Sequence, residues 1–352
     1  MTGPDPAVAE VRRVVRADLS VVADEHGPGA LVLVACSGGA DSLALAAAAG
    51  WEAPRLGVRA GVVVVDHQWH PDSAAVADGA AAACRQLHLD PVRVSTTGLP
   101  GRSLEGPAGA ARPEGPEGAA RAARYAVLEQ VRAETGAVAV LLGHTADDQA
   151  ETVLLGLARG SGTRSLAGMA AVRGRLRRPL LQVTRARTTA CCAALGLRPA
   201  SDPSNADPRL ARTRVRHRVL PVLEAELGPG VAAALVRTAR ATRDDADYLD
   251  VAAALLAATV TAADTTLDCA GLVGAAPALR RRVLRAAALA AGSPAADVTA
   301  GHVDALEALL LDWHGQRGVD LPGRVRAVRR EGRLVLAGPG RGMRAQRPTP
   351  AL

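Results

Sequence analysis

Short runs of apolar residues alternate with alanine-rich amphipathic stretches over the first two-thirds of the chain. The apolar runs predict β-strands at Leu31–Cys36, Val58–Asp66 and Ala137–Gly143, and Val92–Thr96 predicts a weaker strand. The stretches that follow them predict helices, one beginning at Asp41 and the others over Ser73–Leu87, Ala119–Glu134 and Ala146–Ala158. Because strands that alternate with helices form parallel sheets, we expect an α/β fold with a doubly wound, mostly parallel sheet and helices on both faces. Ligands of such sheets bind beyond the carboxyl ends of the strands.

The alternation stops after about residue 224. The remaining sequence predicts three helices and then a β-hairpin, at Val231–Ala258, Ala278–Ala291, Thr299–Leu311 and, for the hairpin, Gly323–Val328 with Arg333–Ala337. We therefore expect two domains, 1–224 and a smaller, mainly helical 225–352 that ends in the hairpin. Leu99–Gly118 is rich in Pro and Gly, which predicts a long loop and leaves open whether it is an ordered lid. From Pro339 we expect a frayed tail.

The composition and the net charge limit the classes of binding partner and the location that we expect. The chain has 352 residues, is 49% hydrophobic and carries a net charge of +7 in which every side-chain cation except histidine is Arg. This charge favours a polyanion such as a nucleic acid, although a solvated basic surface explains it equally well. We expect no membrane partner, because no uninterrupted apolar run reaches about 18 residues. The opening MTGPDPAVAE does not resemble a signal peptide, and five cysteines without a C-x-x-C predict a reducing, cytoplasmic location.

A glycine-rich loop follows the first strand and opens a helix. Its residues are Ser37, Gly38, Gly39, Ala40, Asp41 and Ser42. Two glycines let backbone amides approach a ligand closely, and the start of the helix adds unpaired N–H groups that attract phosphate. Asp41 is placed to hold a Mg²⁺ ion that bridges phosphates. The alternative is a glycine-rich turn with an ordinary helix cap.

Carboxylates also gather at the helix that follows the fourth strand. Asp148 and Glu151 are three residues apart and Asp147 and Glu151 four, which places them on one helix face. Acidic residues in a first helical turn are also favourable caps. At the ligand edge of a parallel sheet, however, such a pair suits a cationic substrate.

Six stretches resemble motifs of the PP-loop ATP pyrophosphatases and, within them, of the tRNA(Ile)-lysidine synthases. They are VACSGGADSLAL, Val65-Asp66-His67, Glu117–Tyr125, LGHTADDQAET, Asp202-Pro203-Ser204-Asn205 and Arg212–His217. Thr145 stands where the family has a second His, and Gln68-Trp69-His70 replaces a Gly/Ser-Leu-Arg run. The motifs span residues 37 to 217, and the helices and hairpin beyond them resemble a family C-terminal domain more weakly.

The resemblance implies an enzyme that joins lysine to C2 of the wobble cytidine of a tRNA(Ile) with a CAU anticodon. The tRNA is first adenylated by ATP, and the products are lysidine, AMP and pyrophosphate. The resemblance implies ATP binding by the loop Ser37–Ser42 together with Asp66, His67 and His144, and Mg²⁺ at Asp41. The catalytic residues that we assign are Asp41, Arg121, Asp148, Glu151 and Arg214, with Asp148 and Glu151 holding the ammonium group of free lysine.

Other interpretations remain at this stage. A tRNA thiolase of the same superfamily and a non-catalytic basic tRNA-binding protein are the alternative functions. Arg121 could lie on a solvated face, His144 could be structural, and Asn205 could serve only its turn. The clusters Arg280–Arg282 and Arg324–Arg333 are candidate tRNA contacts. The oligomeric state is open, and a homodimer is one of the states allowed.

Overall fold

The computed structural model divides into two compact units, Met1–Arg243 and Asp244–Leu352. It describes residues 3–66, 68, 72–97, 115–160, 162–200, 207–263 and 265–339. His67, Asn205 and most of the loop expected over 99–118 lie outside the described residues, as does the tail after residue 339. The functional boundary that we expect at residue 224 stays a prediction.

A six-stranded sheet forms the centre of the first unit. Its strands are β1 (Leu31–Ala35), β2 (Arg59–Asp66), β3 (Val92–Thr96), β4 (Ala139–Leu142), β5 (Val172–Arg173) and β6 (Leu176–Arg177). Its helices are α1 (Pro6–His26), α2 (Ala40–Glu52), α3 (Ser73–Gln86), α4 (Gly115–Thr135), α5 (Ala146–Ala158), α6 (Thr163–Leu166), α7 (Arg185–Ala194), α8 (Ala211–Arg214), α9 (Leu220–Leu227) and the first part of α10 (Val231–Val260).

The strand order is β3-β2-β1-β4-β6-β5, and every neighbouring pair is parallel except β5 with β6. β1 lies at the centre, with Val34 opposite Val62 of β2 on one side and Leu141 of β4 on the other. The chain leaves β1 and β4 at the point where the strand order reverses, which is where a crevice opens in sheets of this type. The expected mostly parallel sheet is confirmed.

Alternate residues of the strands pack on opposite faces of the sheet. On one face Val32 and Val34 join a core that includes residues of α1, α2, α3 and α7. On the other face Leu31 and Leu33 pack with residues of α4 such as Leu128. Both faces of the sheet are therefore covered at its centre, which explains why β1 and β4 are apolar throughout.

Helix α1 was not expected from the sequence. Asp5 caps it by accepting a hydrogen bond from the N–H of Ala7 at 2.7 Å, and Pro6 occupies its first turn. Its buried residues recur three or four positions apart, as a helix packed on one face requires: Val8, Val11, Val15, Leu19 and Val22.

The second unit combines helices with a five-stranded antiparallel sheet. The helices are the remainder of α10, α11 (Cys269–Val273), α12 (Pro277–Ala290) and α13 (Ala300–Leu311). The sheet has the order β7-β8-β11-β10-β9, formed by β7 (Thr261–Ala263), β8 (Thr266–Asp268), β9 (Val319–Leu321), β10 (Val325–Arg330) and β11 (Arg333–Ala337). The expected hairpin is β10–β11, and three short strands that the sequence pattern did not indicate extend it.

Among the described residues no single helix is long and apolar enough to cross a membrane, and only the bent pair Ala211–Leu227 and Val231–Val260 meets the requirements of length and composition together.

Candidate active site at the carboxyl edge of the sheet

The loop after β1 has the form of an anion cradle. Gly38 has φ 83°, a conformation that favours glycine, and it turns the chain from the strand into α2. The hydroxyl of Ser42 donates to the carbonyl of Gly39 at 2.9 Å and accepts from the N–H of Ser37 at 3.1 Å, which closes the loop on itself. Gly39 caps α2 without a side-chain hydrogen bond, so the N–H groups of the first turn face the space ahead of the helix. This geometry fits a phosphate chain.

Gly143 brings the end of β4 against the start of α2. A Cβ at this position would lie 3.1 Å from the backbone of Asp41 and Ser42, closer than ordinary contacts allow. The loops after β1 and β4 are thus held together at the edge where the strand order reverses. Residues Ser37–Ser42 and the residues that follow Gly143 therefore form one site.

Arg124, and not Arg121, lines the small cavity beside the loop. The cavity is lined by Ala35, Cys36, Ser37, Val63, Val65 and Arg124. Burial lowers the pKa of Arg124, and we find neither a hydrogen bond nor an ion pair to it among the described residues. Arg121 is exposed, and its guanidinium donates to the hydroxyl of Tyr125 at 3.1 Å. A half-buried cation without a hydrogen bond or ion pair among the described residues, beside an anion cradle, is suited to a phosphate.

Asp148 has two roles at the start of α5. Its Oδ2 accepts hydrogen bonds from the N–H of Thr145 at 2.9 Å and from the Thr145 hydroxyl at 3.0 Å, which forms a capping box. Burial raises the pKa of Asp148, but the charge of Arg185 and the Thr145 N–H together outweigh it and hold the pKa below its usual range. The capping interpretation is correct for one oxygen, and Oδ1 points elsewhere.

Oδ1 of Asp148 and the fully buried carboxylate of Glu151 face arginines. Arg216 donates from Nε to Glu151 at 2.7 Å and from Nη2 to Asp148 at 3.2 Å. Arg185 approaches Asp148 at 3.0 Å and Glu151 at 3.6 Å, and Arg212 approaches Glu151 at 3.6 Å. The pair is thus the acidic side of a mixed-charge cluster and not a free anionic pocket.

Asp41 joins the same cluster from α2. Its carboxylate accepts a short hydrogen bond from the Thr188 hydroxyl and lies 3.4 Å from Nε of Arg185. Burial raises the pKa of Asp41, Thr188 and Arg185 lower it, and the net shift is upward. We call the whole group the carboxylate cluster; it consists of Asp41, Asp147, Asp148 and Glu151 with Arg185, Arg212 and Arg216.

Arg214 lies outside the carboxylate cluster, although we assign it a catalytic role from the sequence. Its Nη1 donates to the carbonyls of Pro208 at 2.9 Å and Arg209 at 2.7 Å. In the cationic run it is Arg212 and Arg216 whose side chains reach the cluster. One turn of π-helix, Val215–Val219, surrounds Arg216, and alternate spacing in the sequence could not indicate which arginine points inward.

Asp66 ends β2 and His144 lies two residues after the end of β4, so the two residues follow the strands on either side of β1. Nδ1 of His144 accepts from Nε of Arg178 at 3.2 Å, which leaves its proton on Nε2. Burial lowers the pKa of His144 to about 3, so the ring is neutral at physiological pH. The buried Asp66 accepts from the N–H of Gln68 at 2.8 Å, while its neighbour His67 is outside the described residues.

Two residues that contact the acids of the cluster lie outside every motif of the sequence: Arg185 and Thr188 of α7. Only the position of α7 beside α2, where Cys192 Sγ contacts the carbonyl of Ala40 at 3.3 Å, brings them to Asp41. Such residues are found from the packing of helices and not from spacing.

Two family models match the chain. A model described as a PP-loop domain matches residues 14–223. A model described as the TilS substrate binding domain matches residues 267–335. The first contains the sheet and the carboxylate cluster, and it indicates that the protein binds ATP. The second contains β10 and the first residues of β11.

Curated relatives match over almost the whole chain. The tRNA(Ile)-lysidine synthase of Thermobifida fusca is 53% identical over 338 residues, which are 96% of this chain and 99% of the relative. The enzyme of the same name from Streptomyces coelicolor is 49% identical over 95% of this chain and 99% of its own length. These values far exceed what two unrelated proteins share.

Among solved structures, the U34-tRNA thiolase NcsA of Methanococcus maripaludis with its [4Fe-4S] cluster has a TM-score of 0.55. It is 19% identical and covers 68% of this chain and 80% of its own, so it supports the fold alone.

The sequence relatives and both family models decide the assignment: the chain belongs to the tRNA(Ile)-lysidine synthases, a family with a PP-loop ATP-binding domain.

Proposed function

We propose that the protein ligates free lysine to C2 of the wobble cytidine of a tRNA(Ile) with a CAU anticodon, forming a C–N bond. In the first step the cytidine O2 attacks the α-phosphate of ATP and pyrophosphate leaves. In the second step the lysine ε-amine displaces AMP at C2. The names of the relatives and the match to the TilS substrate binding domain support the choice of tRNA.

The observation that carries this proposal is the junction of the anion cradle and the carboxylate cluster at one edge of the sheet. The N–H groups at the start of α2 and the guanidinium of Arg124 fit the phosphates of ATP. The residues assigned to ATP, Ser37–Ser42 with Asp66, His67 and His144, remain part of the proposal. They hold the phosphate chain in place while charge develops on it.

The donor chemistry of Asp41 also fits Mg²⁺. Mg²⁺ is usually held by one or two carboxylates together with substrate phosphates, and Asp41 offers a carboxylate in the first turn of the helix behind the loop. When bound there, the ion would neutralise charge on the pyrophosphate group. Among the described residues no group of three His, Cys, Asp or Glu is placed to hold a metal by itself.

Charge supports lysine as the second substrate. The carboxylate cluster contains four carboxylates and three guanidinium groups, so 4 − 3 leaves one uncompensated negative charge. A lysine ammonium at Asp148 and Glu151 would match it. A carboxylate there could also accept the proton that the amine, with a pKa of about 10.4, must lose before it attacks. The five cysteines are all free and buried, which supports a reducing, cytoplasmic location.

The test is incubation of the protein with ATP, radiolabelled lysine and tRNA(Ile) bearing a CAU anticodon. We expect label in the tRNA together with equimolar AMP and pyrophosphate. Sulfur incorporation without a lysine requirement would instead identify a thiolase. Binding of tRNA without pyrophosphate release would identify a non-catalytic binding protein.

A further inference from the structure

One arginine links the two halves of the site. Arg185, the first residue of α7, points its guanidinium at three carboxylates. Nε lies 3.4 Å from Asp41, Nη2 3.0 Å from Asp148 and Nη1 3.6 Å from Glu151. Each nitrogen faces a different acid. Two of these acids belong to the pair that we assign to lysine, and the third belongs to the loop that we assign to ATP.

The backbone around Arg185 is fixed to both sides. Its N–H donates to Asp147 at 2.8 Å, and the N–H of Ala146 donates to the carbonyl of Val183 at 2.9 Å, so the start of α7 is held against α5. One turn later, the hydroxyl of Thr188 donates to Asp41 of α2. The start of α7 is therefore fixed beside the carboxylates, and the side chain of Arg185 can redistribute its contacts among the three of them without movement of the helix.

The charge of Arg185 is permanent. Burial lowers its pKa, but Asp148, Asp41 and Glu151 together raise it above its ordinary value. A shared permanent charge makes the carboxylates interdependent, because a contact strengthened on one side is weakened on the other. The side chain of Arg185 remains one-quarter exposed, at 26%, so an arriving ligand can reach it.

We propose that Arg185 is a positioning residue that couples nucleotide binding to lysine binding. This inference rests on the proposed function. The phosphate chain of ATP carries more negative charge than the magnesium ion that accompanies it. Its arrival beside Asp41 gives the guanidinium a new partner and draws it from Asp148 and Glu151. These carboxylates are then free to hold a lysine ammonium, so nucleotide binding tightens lysine binding.

The test measures lysine binding by calorimetry with and without the α,β-methylene analogue of ATP and Mg²⁺. In the wild-type protein we expect the analogue to lower the lysine Kd about fivefold or more, a typical coupling between two sites. Arg185→Gln should bring the ratio of the two Kd values close to one. Arg185→Lys keeps the positive charge but lacks the planar guanidinium that contacts three carboxylates at once, so it should retain part of the coupling.

Arg187→Gln is the matched control. Arg187 lies on the same helix, and its ion pair with Glu10 at 3.1 Å is outside the carboxylate cluster. This variant should keep the wild-type ratio. If Arg185→Gln kept that ratio as well, or if the wild-type ratio were one, the inference would be wrong while the proposed function stood. Absence of any lysine binding by the wild-type protein would overturn the proposed function and the coupling with it.

Discussion

Glu151 has no exposed surface, yet it is the most heavily paired acid of the site. Its carboxylate receives Arg216 at 2.7 Å and lies 3.6 Å from both Arg185 and Arg212. Substrates cannot reach it without a rearrangement of these guanidinium groups. The residue is therefore suited to a step in which an ammonium group replaces part of an existing ion pair.

Glu151→Gln keeps the shape of the side chain and removes its charge. Loss of a charged hydrogen bond costs on the order of 1.5–3 kcal/mol, so kcat/KM for lysine should fall roughly ten- to more than a hundredfold. Adenylation of the tRNA, measured as pyrophosphate release without lysine, should remain measurable. Glu134→Gln on the exposed face of α4 is the control. A variant that melts early yet transfers lysine normally would return Glu151 to a purely structural role.

Asp41 belongs to the loop side of the site. Asp41→Asn should lower the rate of pyrophosphate release on the order of a hundredfold, since it removes the charge that would hold Mg²⁺ on the phosphates. Binding of tRNA, measured by filter retention, should stay within a few-fold of wild type. Asp24→Asn on exposed α1 is the control, and wild-type pyrophosphate release by Asp41→Asn would contradict the assignment.

His144 gives the fold a specific pH dependence. Burial lowers its pKa from 6.5 to about 3, so between these values the unfolded chain takes up a proton that the folded protein does not. Neutral His144 therefore contributes fully to the free energy of unfolding above pH 6.5. As the pH falls below this value, its contribution declines by at most about 1.4 kcal/mol per pH unit. The free energy of unfolding, measured with urea between pH 4 and 6.5, should depend less steeply on pH for His144→Gln than for the wild-type protein. The same pH dependence for the two proteins would show that the fold does not lower the pKa of the histidine.

At the scale of elements, helix α4 gives Arg121 and Arg124 different surroundings, although the sequence does not distinguish them. Arg121 and Arg124 are three residues apart, but only Arg124 lines the cavity beside Ser37. Arg124→Gln should raise the KM for ATP about tenfold, as expected for loss of a charge-assisted hydrogen bond. Arg121→Gln, measured in the same pyrophosphate assay, should change it less than twofold. The reverse order would restore the assignment of Arg121.

The elements predicted correctly are those whose pattern depends on burial. β1, β2 and β4 are apolar runs that are buried along almost their whole length, and α5 begins at Ala146 as its capping residues indicate. β5 and β6 have two residues each, and β7, β8 and β9 have three, too few to establish a period of two. Their pairing is set by neighbouring strands, which local sequence does not contain.

The candidate site could also be predicted only in part. Asp41, Asp148 and Glu151 lie at the starts of helices that follow strands, and the topology alone brings such positions together. Arg185 and Arg216 come from later segments whose place depends on helix packing and on a π-helical turn. Arg121 and Arg214 were chosen from motifs, which do not specify the direction of a side chain, and both make contacts outside the cluster.

On the scale of the whole molecule, the excess of arginine is unevenly neutralised. In the second unit Arg280 and Arg281 bind Glu307 at 2.7 Å, and Arg280 is buried. These residues are therefore structural, which makes the expectation of tRNA contacts at Arg280–Arg282 less favourable. Arg330 and Arg333 differ, because they are exposed and neither has an ion pair among the residues that the structure describes.

Arg330 and Arg333 are direct cross-strand partners at the tip of the β10–β11 hairpin, an arrangement that costs stability because like charges repel. An approaching phosphate would relieve this repulsion. Replacing both by Gln should weaken tRNA binding and reduce the slope of log K against log salt by roughly one unit per lost phosphate contact. The control, Arg281→Gln with Arg326→Gln, removes the same charge from residues already paired with acids. Equal slopes for the two double variants would show that net charge, and not the hairpin tip, governs tRNA binding.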